Sequence, residues 1–324
     1  MKQVSKIKEA AVGDLVTIPL VIKSVDTRET KAKKPYLSME LFDGKDSISG
    51  NYWDWQGSNI PERNKVYDFG CQVSEWMGNK QLSIKSIKAN TTCHLSEFIP
   101  ASDYDIGDTY KTLYVELEEI KNEELRTICL GILEDLKSSW TIVPGAKVVH
   151  HAYTGGTLVH TCSVVKIAKA LAQSIEHANV DLTVAGAFLH DVGKLFTYKI
   201  EGVTIDLTSD GLLFDHTFIS ANFVMNYADG VIDTNNPAKE NTVKLLCHVI
   251  LAHHGKLEHG APVSPSCIEA HIVHHADALD VAAELIREAG NATENTWTDR
   301  IWALENRPAI NHKHIAAHIN KAEL

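Results

Sequence analysis

Sixteen of the 17 histidines lie beyond residue 100, and part of that set alternates with aspartates in an order that suits metal chemistry. His160 comes first, then His190-Asp191, His216, the pair His253-His254 and finally Asp277. Imidazole and carboxylate donors in this mixture fit Mn2+, Fe2+, Co2+, Ni2+ or Zn2+ better than Ca2+, and Mg2+ is less favoured by so much imidazole. One buried histidine is more often a hydrogen-bonded core residue than a ligand, so the weight rests on the ordered series. The apolar, small-residue run 184–189 leads into His190, and a packed helix there would deliver an imidazole and a carboxylate to a buried point. A buried carboxylate is costly unless a cation compensates it. Lys194 stands four residues past His190 and three past Asp191, on the same helical face, where its ammonium meets either a phosphate oxygen or Asp191 itself. His274 and Asp280 flank Asp277 and are read as supports that orient ligands. His177, His248, His259, His271, His312, His314 and His318 are assigned to packing or surface.

The elements that must position these residues follow from periodicity. Leu117, Ile120, Leu125, Ile128, Ile132, Leu133 and Leu136 recur at three- and four-residue steps, the period of a helix with one buried face. Further helices are predicted over 157–177, 182–194, 212–228, 240–254 and 266–289, the last stopped by Gly290. The metal-type residues thus fall on separate segments of an all-α bundle. Before residue 100 the pattern is β-branched and alternating, with strands predicted over 15–25, 36–42, 47–53, 66–76 and 81–87. Turn signals at Asp43-Gly44, Pro61 and Gly78-Asn79 separate them. Five short strands in this length suit a small closed barrel such as an OB-fold. The expected organisation is therefore α+β in two domains: a barrel over 1–95, a linker over 96–112 and a helical domain over 113–324.

Charge divides the chain at the same place. The first hundred residues carry 14 basic and 12 acidic side chains and the remainder 17 and 30, within a formal charge of −11 for 324 residues. In the barrel, Arg28, Lys31, Lys33 and Lys34 crowd one loop, and Tyr36, Tyr52, Trp53, Trp55 and Trp76 are candidates for stacking on bases. A basic loop beside an aromatic face is how such barrels hold single strands without reading sequence. The alternative is that the aromatics are core and the lysines merely solvated. No stretch of about 18 apolar residues and no leading apolar run is present, so no membrane partner and a cytoplasmic location are expected. Six scattered cysteines without a C-x-x-C pair read as reduced thiols.

The series H…HD-x-G-K…H…HH…D resembles the HD-domain superfamily of metal-dependent phosphohydrolases. More closely, nearly the whole chain resembles the YhaM-type 3'-5' exoribonucleases, which join an N-terminal OB-fold to an HD domain. Carrying the resemblance in the barrel are Lys33-Lys34-Pro35-Tyr36-Leu37 and Phe42-Asp43-Gly44, followed by Phe98-Ile99-Pro100-Ala101-Ser102 at the junction. His150-His151-Ala152-Tyr153-Thr154-Gly155-Gly156 leads into His160; then come His190-Asp191-Val192-Gly193-Lys194, Leu251-Ala252-His253-His254-Gly255-Lys256 and His275-Ala276-Asp277-Ala278-Leu279-Asp280. Two departures stand out: Thr157-Leu158-Val159 occupies the place of a Leu-Leu-Glu run, and Asp215 replaces the glycine expected before His216.

The resemblance implies two divalent ions, Mn2+ first, with Fe2+, Co2+, Ni2+, Zn2+ or Mg2+ as other occupants. His160, His190, Asp191 and Asp277 would hold one, and Asp191 would bridge to a second on His216 and His253, with His254 either a ligand or facing the substrate. Asp191 and Lys194 are the expected catalytic residues. His150, His151, Lys194, Arg28, Lys33, Lys34, Tyr36 and Trp53 are the expected substrate contacts, with Gly155-Gly156 open to close approach of a nucleotide. The implied activity is 3'-5' hydrolysis of single-stranded RNA, or single-stranded DNA, to 5'-mononucleotides, and a homo-oligomer is left open. The same metals also serve phosphodiesterases of cyclic dinucleotides and phosphohydrolases of dNTPs or nucleoside monophosphates, and a third alternative is a nucleic-acid-binding protein without turnover.

Overall fold

Alternation of apolar and polar residues from Leu15 onward builds the strand that organises the N-terminal part of the chain. In the computed structural model, which describes residues 1–99, 102–146 and 151–319, this strand is β2 (Leu15–Glu29), preceded by the short β1 (Lys2–Gln3). It is followed by β3 (Pro35–Phe42), β4 (Ser47–Tyr52), β5 (Val66–Trp76) and β6 (Asn79–Ala89). The first half of β2 pairs antiparallel with β5 and the second half with β3, and the register shifts between Ile22 and Ser24 where one partner gives way to the other. One long strand shared in this way closes the sheet, in the order β2-β3-β4-β6-β5 and back to β2, with β4 and β6 parallel. That is the five-stranded OB topology. Val16, Ile18, Leu20 and Ile22 fill the interior with Leu37, Met39, Leu41, Phe69, Val73, Leu82 and Ile84. The β5–β6 turn is made by Met77 and Gly78, both at positive φ, the two-residue geometry that matches strand twist.

The chain divides into two compact units, residues 1–101 with 200–206 and residues 102–199 with 207–324. The second is helical: α1 (Ile106–Glu118), α2 (Glu123–Asp135), α3 (Lys137–Trp140), α4 (Gly156–Ser174), α5 (Val180–Leu189), α6 (Lys194–Thr197), α7 (Ser209–Val231), α8 (Pro237–Ala252), α9 (Ile268–Asn291) and α10 (Ile315–Ile319). Asp105, Asn122, Asn179, Thr208 and Asn236 each accept a backbone N–H at the start of their helix, satisfying donors that have no intrahelical partner. The segment expected to be a linker to residue 112 is helical from Ile106. One unexpected β-hairpin, β7 (Tyr198–Glu201) and β8 (Thr204–Leu207), interrupts the helices in sequence, and its residues 200–206 belong to the first unit.

Helix α5 is the pivot of this unit. Eight consecutive residues from Leu182 to Leu189 are buried, the signature of a helix surrounded by protein on every side. It packs among α4, α8, α9 and α2, with Phe188 stacked on Trp140 at 5.3 Å. The helix predicted to run on to residue 194 stops at Leu189, and Lys194 opens the separate α6. Among the described residues no helix is long and apolar enough to cross a membrane, and all six cysteines are free.

Candidate metal centre

Two helices end in the same device. His190 follows the last turn of α5 and its Nδ1 donates to the Ala187 carbonyl at 2.7 Å; His253 follows α8 and its Nδ1 donates to the Ile250 carbonyl at 2.6 Å. Each ring caps a carbonyl in the last turn of its helix, where carbonyls run short of intrahelical partners, and the Ile250 oxygen also receives the His253 N–H at 3.5 Å. Each thereby holds its proton on Nδ1 and turns a bare Nε2 inward. His160 on α4 does the same with a side chain, donating Nδ1–H to Asp280 Oδ2 at 2.7 Å. Its Nε2 lies 3.2 Å from that of His190, 3.4 Å from Asp191 Oδ2 and 3.3 Å from Asp277 Oδ1. Facing imidazole lone pairs and carboxylates at such distances repel unless a proton or a metal ion stands among them.

Asp191 is the centre. Its Oδ2 faces His190 Nε2 at 3.3 Å as well as His160, while its Oδ1 faces His216 Nε2 at 3.2 Å and His253 Nε2 at 3.9 Å. Lys194 lies 2.7 Å from Oδ2 and is largely buried, so it pairs with Asp191 while 12% of its side chain stays exposed. Burial by itself would raise the Asp191 carboxyl, but Lys194, His190 and His160 together hold it well below its usual range. Burial opposes the charge on Lys194 too, and Asp191 outweighs it, so the lysine stays protonated. His253 is pushed down by burial and by the neighbouring His190 and His254, as suits a neutral donor.

The donor set fits divalent ions. Three groups of donors have their ligand atoms within 4.8 Å of one another: His160 with His190 and Asp191, His216 with His253 and His254, and His151 with His160 and Asp280. His216 Nε2 and His254 Nδ1 are buried without a hydrogen-bond partner, and such orphaned nitrogens are what a cation would satisfy. His254 is thereby placed among the candidate donors. Gly193 makes the assembly feasible: a Cβ there would collide with the His216 carbonyl oxygen, so only glycine lets α7 come this close to the His190-Asp191 turn.

Several sequence expectations change. His150, Pro100 and Ala101 lie outside the described residues. His151 was expected to touch substrate, but it is 2% exposed, with Nε2 3.0 Å from Asp280 Oδ2 and Nδ1 2.6 Å from the Tyr153 hydroxyl. It steadies Asp280, which steadies His160. Gly156 leaves room for the His151 carbonyl oxygen, which stands where a Cβ would be, and not for a nucleotide. The Thr157-Leu158-Val159 departure is buried, Thr157 donating to the Pro144 carbonyl, so it does not line an open mouth. His274, expected as a support, donates Nδ1–H to the His253 carbonyl at 2.8 Å. Asp215 escaped notice as a functional group: its Oδ1 lies 2.5 Å from His216 Nδ1, and adjacency to a candidate ligand was the available signal.

On the barrel, Tyr36 and Trp53 stack on each other at 4.3 Å, Trp53 being 41% exposed, and Arg28 is the cross-strand partner of Tyr36. Arg28, Lys33 and Lys34 are exposed, with Arg28 paired to Asp26 at 3.5 Å and Lys34 to Asp54 at 3.8 Å. Trp55 is not a stacking surface: it belongs to the barrel core and donates Nε1–H to the Ser58 carbonyl.

Residues 157–282 match the family model of the HD domain. The class follows: an HD domain of the metal-dependent phosphohydrolases, C-terminal to an OB-like barrel. The chain is also similar, over 29% of its length and 99% of the other, to the second OB-fold domain of replication protein A from Methanococcus maripaludis, at 16% identity and a TM-score of 0.24. The barrel's assignment rests on its own strand order.

Proposed function

We propose that the protein is a metal-dependent 3'-5' exonuclease that shortens single-stranded RNA, or single-stranded DNA, releasing 5'-mononucleotides. The observation that carries the catalytic half is the single carboxylate of Asp191 presenting one oxygen to His160 and His190 and the other to His216 and His253. In this reading His160, His190, Asp191 and Asp277 hold one ion and Asp191, His216, His253 and His254 a second. Mn2+ is the favoured occupant, since mixed imidazole and carboxylate donors suit it. Such a pair of ions supplies Lewis acidity and lowers the pKa of water enough to make a nucleophile near neutral pH.

The chain's own groups do the rest. Asp280, Ala187 and Ile250 keep the protons of His160, His190 and His253 on Nδ1, so their Nε2 atoms stay available. Lys194 brings a permanent positive charge beside Asp191, where charge builds on the phosphate oxygens during in-line attack. The Tyr36–Trp53 pair offers a π-face to unpaired bases, and Arg28, Lys33 and Lys34 meet phosphates, a combination that supports a flexible single strand over a duplex.

The test incubates the full-length protein and its Asp191→Asn variant with Mn2+ and 5'-labelled single-stranded RNA, alongside cyclic dinucleotides and dNTPs. A ladder descending from the 3' end, seen with the wild type alone, is expected. If the RNA survives while a cyclic dinucleotide or dNTP is consumed, the exonuclease reading gives way to a small-molecule phosphohydrolase on the same site.

A further inference from the structure

Inside α7 the backbone at Asp215 takes φ 61° and ψ 160°, a region open to glycine and strained for any residue with a Cβ. This breaks the helix, so that His216 stands at the start of a new helical segment. A helix start leaves N–H groups without partners, not carbonyls. His216 therefore has no equivalent of the carbonyl that holds Nδ1 of His190 or His253. The Asp215 side chain takes that place: Oδ1 lies 2.5 Å from His216 Nδ1 and also accepts the Thr217 N–H at 3.3 Å. With Nδ1 so occupied, the buried Nε2, which lacks a hydrogen-bond partner, is turned toward Asp191 Oδ1 at 3.2 Å.

We infer that Asp215 is a positioning residue that fixes the tautomer and direction of His216 for a divalent cation shared with His253 and His254, and that the strained backbone at this position is kept for that purpose. The inference rests on the ligand assignment above but not on the substrate, and it makes the two effects of Asp215 opposite in sign. Relative to glycine, the aspartate costs fold stability and adds affinity for the second ion.

The experiment titrates chelator-stripped full-length protein with Mn2+ by calorimetry and by electron paramagnetic resonance, and records thermal unfolding without metal. For Asp215→Gly the second equivalent of Mn2+ is expected to bind about 10–100-fold more weakly while the first changes by less than about twofold. The same variant's metal-free Tm is expected to rise by about 2–4 °C as strain is relieved. Asp215→Asn keeps an oxygen acceptor for Nδ1–H and the strained backbone, so it recovers most of the second-site affinity without the rise in Tm. Asp215→Ala loses on both measures. Two equivalents bound by Asp215→Gly as tightly as by the wild type would overturn the inference, as would a fall in its Tm with loss of both equivalents, the mark of a purely structural role. A wild type that takes up no second equivalent overturns the inference together with the ligand assignment, whereas failure to cleave RNA with both equivalents bound leaves the inference standing and removes only the exonuclease reading.

Discussion

At Asp191 one carboxylate meets four imidazoles and an ammonium, and its near-complete burial makes each partner count. Removing Lys194 leaves that carboxylate with one cation fewer. Lys194→Met is expected to destabilise the metal-free protein by about 3–5 kcal/mol, the cost of breaking a buried pair. Saturating Mn2+ should recover much of the loss, which denaturant unfolding with and without metal would show. An equal loss in both conditions would mean that Lys194 acts through packing. Further along α9, burial and then the charge of Glu284 push the Glu288 carboxyl up to about 7, against the pull of Arg287. The folded state thus holds this proton more tightly than the unfolded chain, whose value is 4.5. Its contribution to stability is complete below that value and lost as pH rises through about 7. Glu288→Gln should therefore reduce the fall in Tm between about pH 5 and pH 8 for chelated protein, and an unchanged pH dependence would refute the assignment.

Helix ends set His190, His253 and His216, while His160 on α4 and Asp277 on α9 stand within their helices. His190 and His253 are aimed by the carbonyls of their own last turns, and His216 by the break in α7. Periodicity alone extends one helix through Lys194, because apolar spacing continues past Leu189 and carries no mark of where the last backbone bond is made. The Asn and Thr caps at 122, 179, 208 and 236 are legible as residue types, and they hold the helices' starts. Gly193→Ala tests the element scale directly. Its Cβ would press on the His216 carbonyl, so α7 must shift, at a cost of about 1–3 kcal/mol for overpacking. Mn2+ affinity should fall with it. A variant that binds both ions normally would show that α7 has slack at this point.

At the level of the whole chain, the proposed function assigns strand affinity to the barrel and chemistry to the bundle. Trp53→Ala removes the exposed member of the ring pair and should weaken single-stranded RNA binding by about 1–3 kcal/mol. Hydrolysis of a small phosphodiester that offers no bases to stack should be untouched. Replacing both Lys33 and Lys34 by alanine should lower the slope of log K against log salt by about 0.7 for each phosphate that is no longer neutralised. A slope equal to that of the wild type would place the phosphate-binding groups elsewhere on the protein.

Fold class, strand alternation, the order of candidate ligands and the charge contrast between the two parts were all readable in one dimension, because periodicity and residue type are local properties. The barrel's closure through a strand with two partners, the burial of His151 and Trp55, and the pairing of Asp280 with His160 across 120 residues of chain came only from three-dimensional packing. The tautomers of His160, His190, His216 and His253 were decided there as well. Each depends on which acceptor stands beside Nδ1, and two of those acceptors are main-chain carbonyls, which every residue possesses and no side-chain pattern can single out.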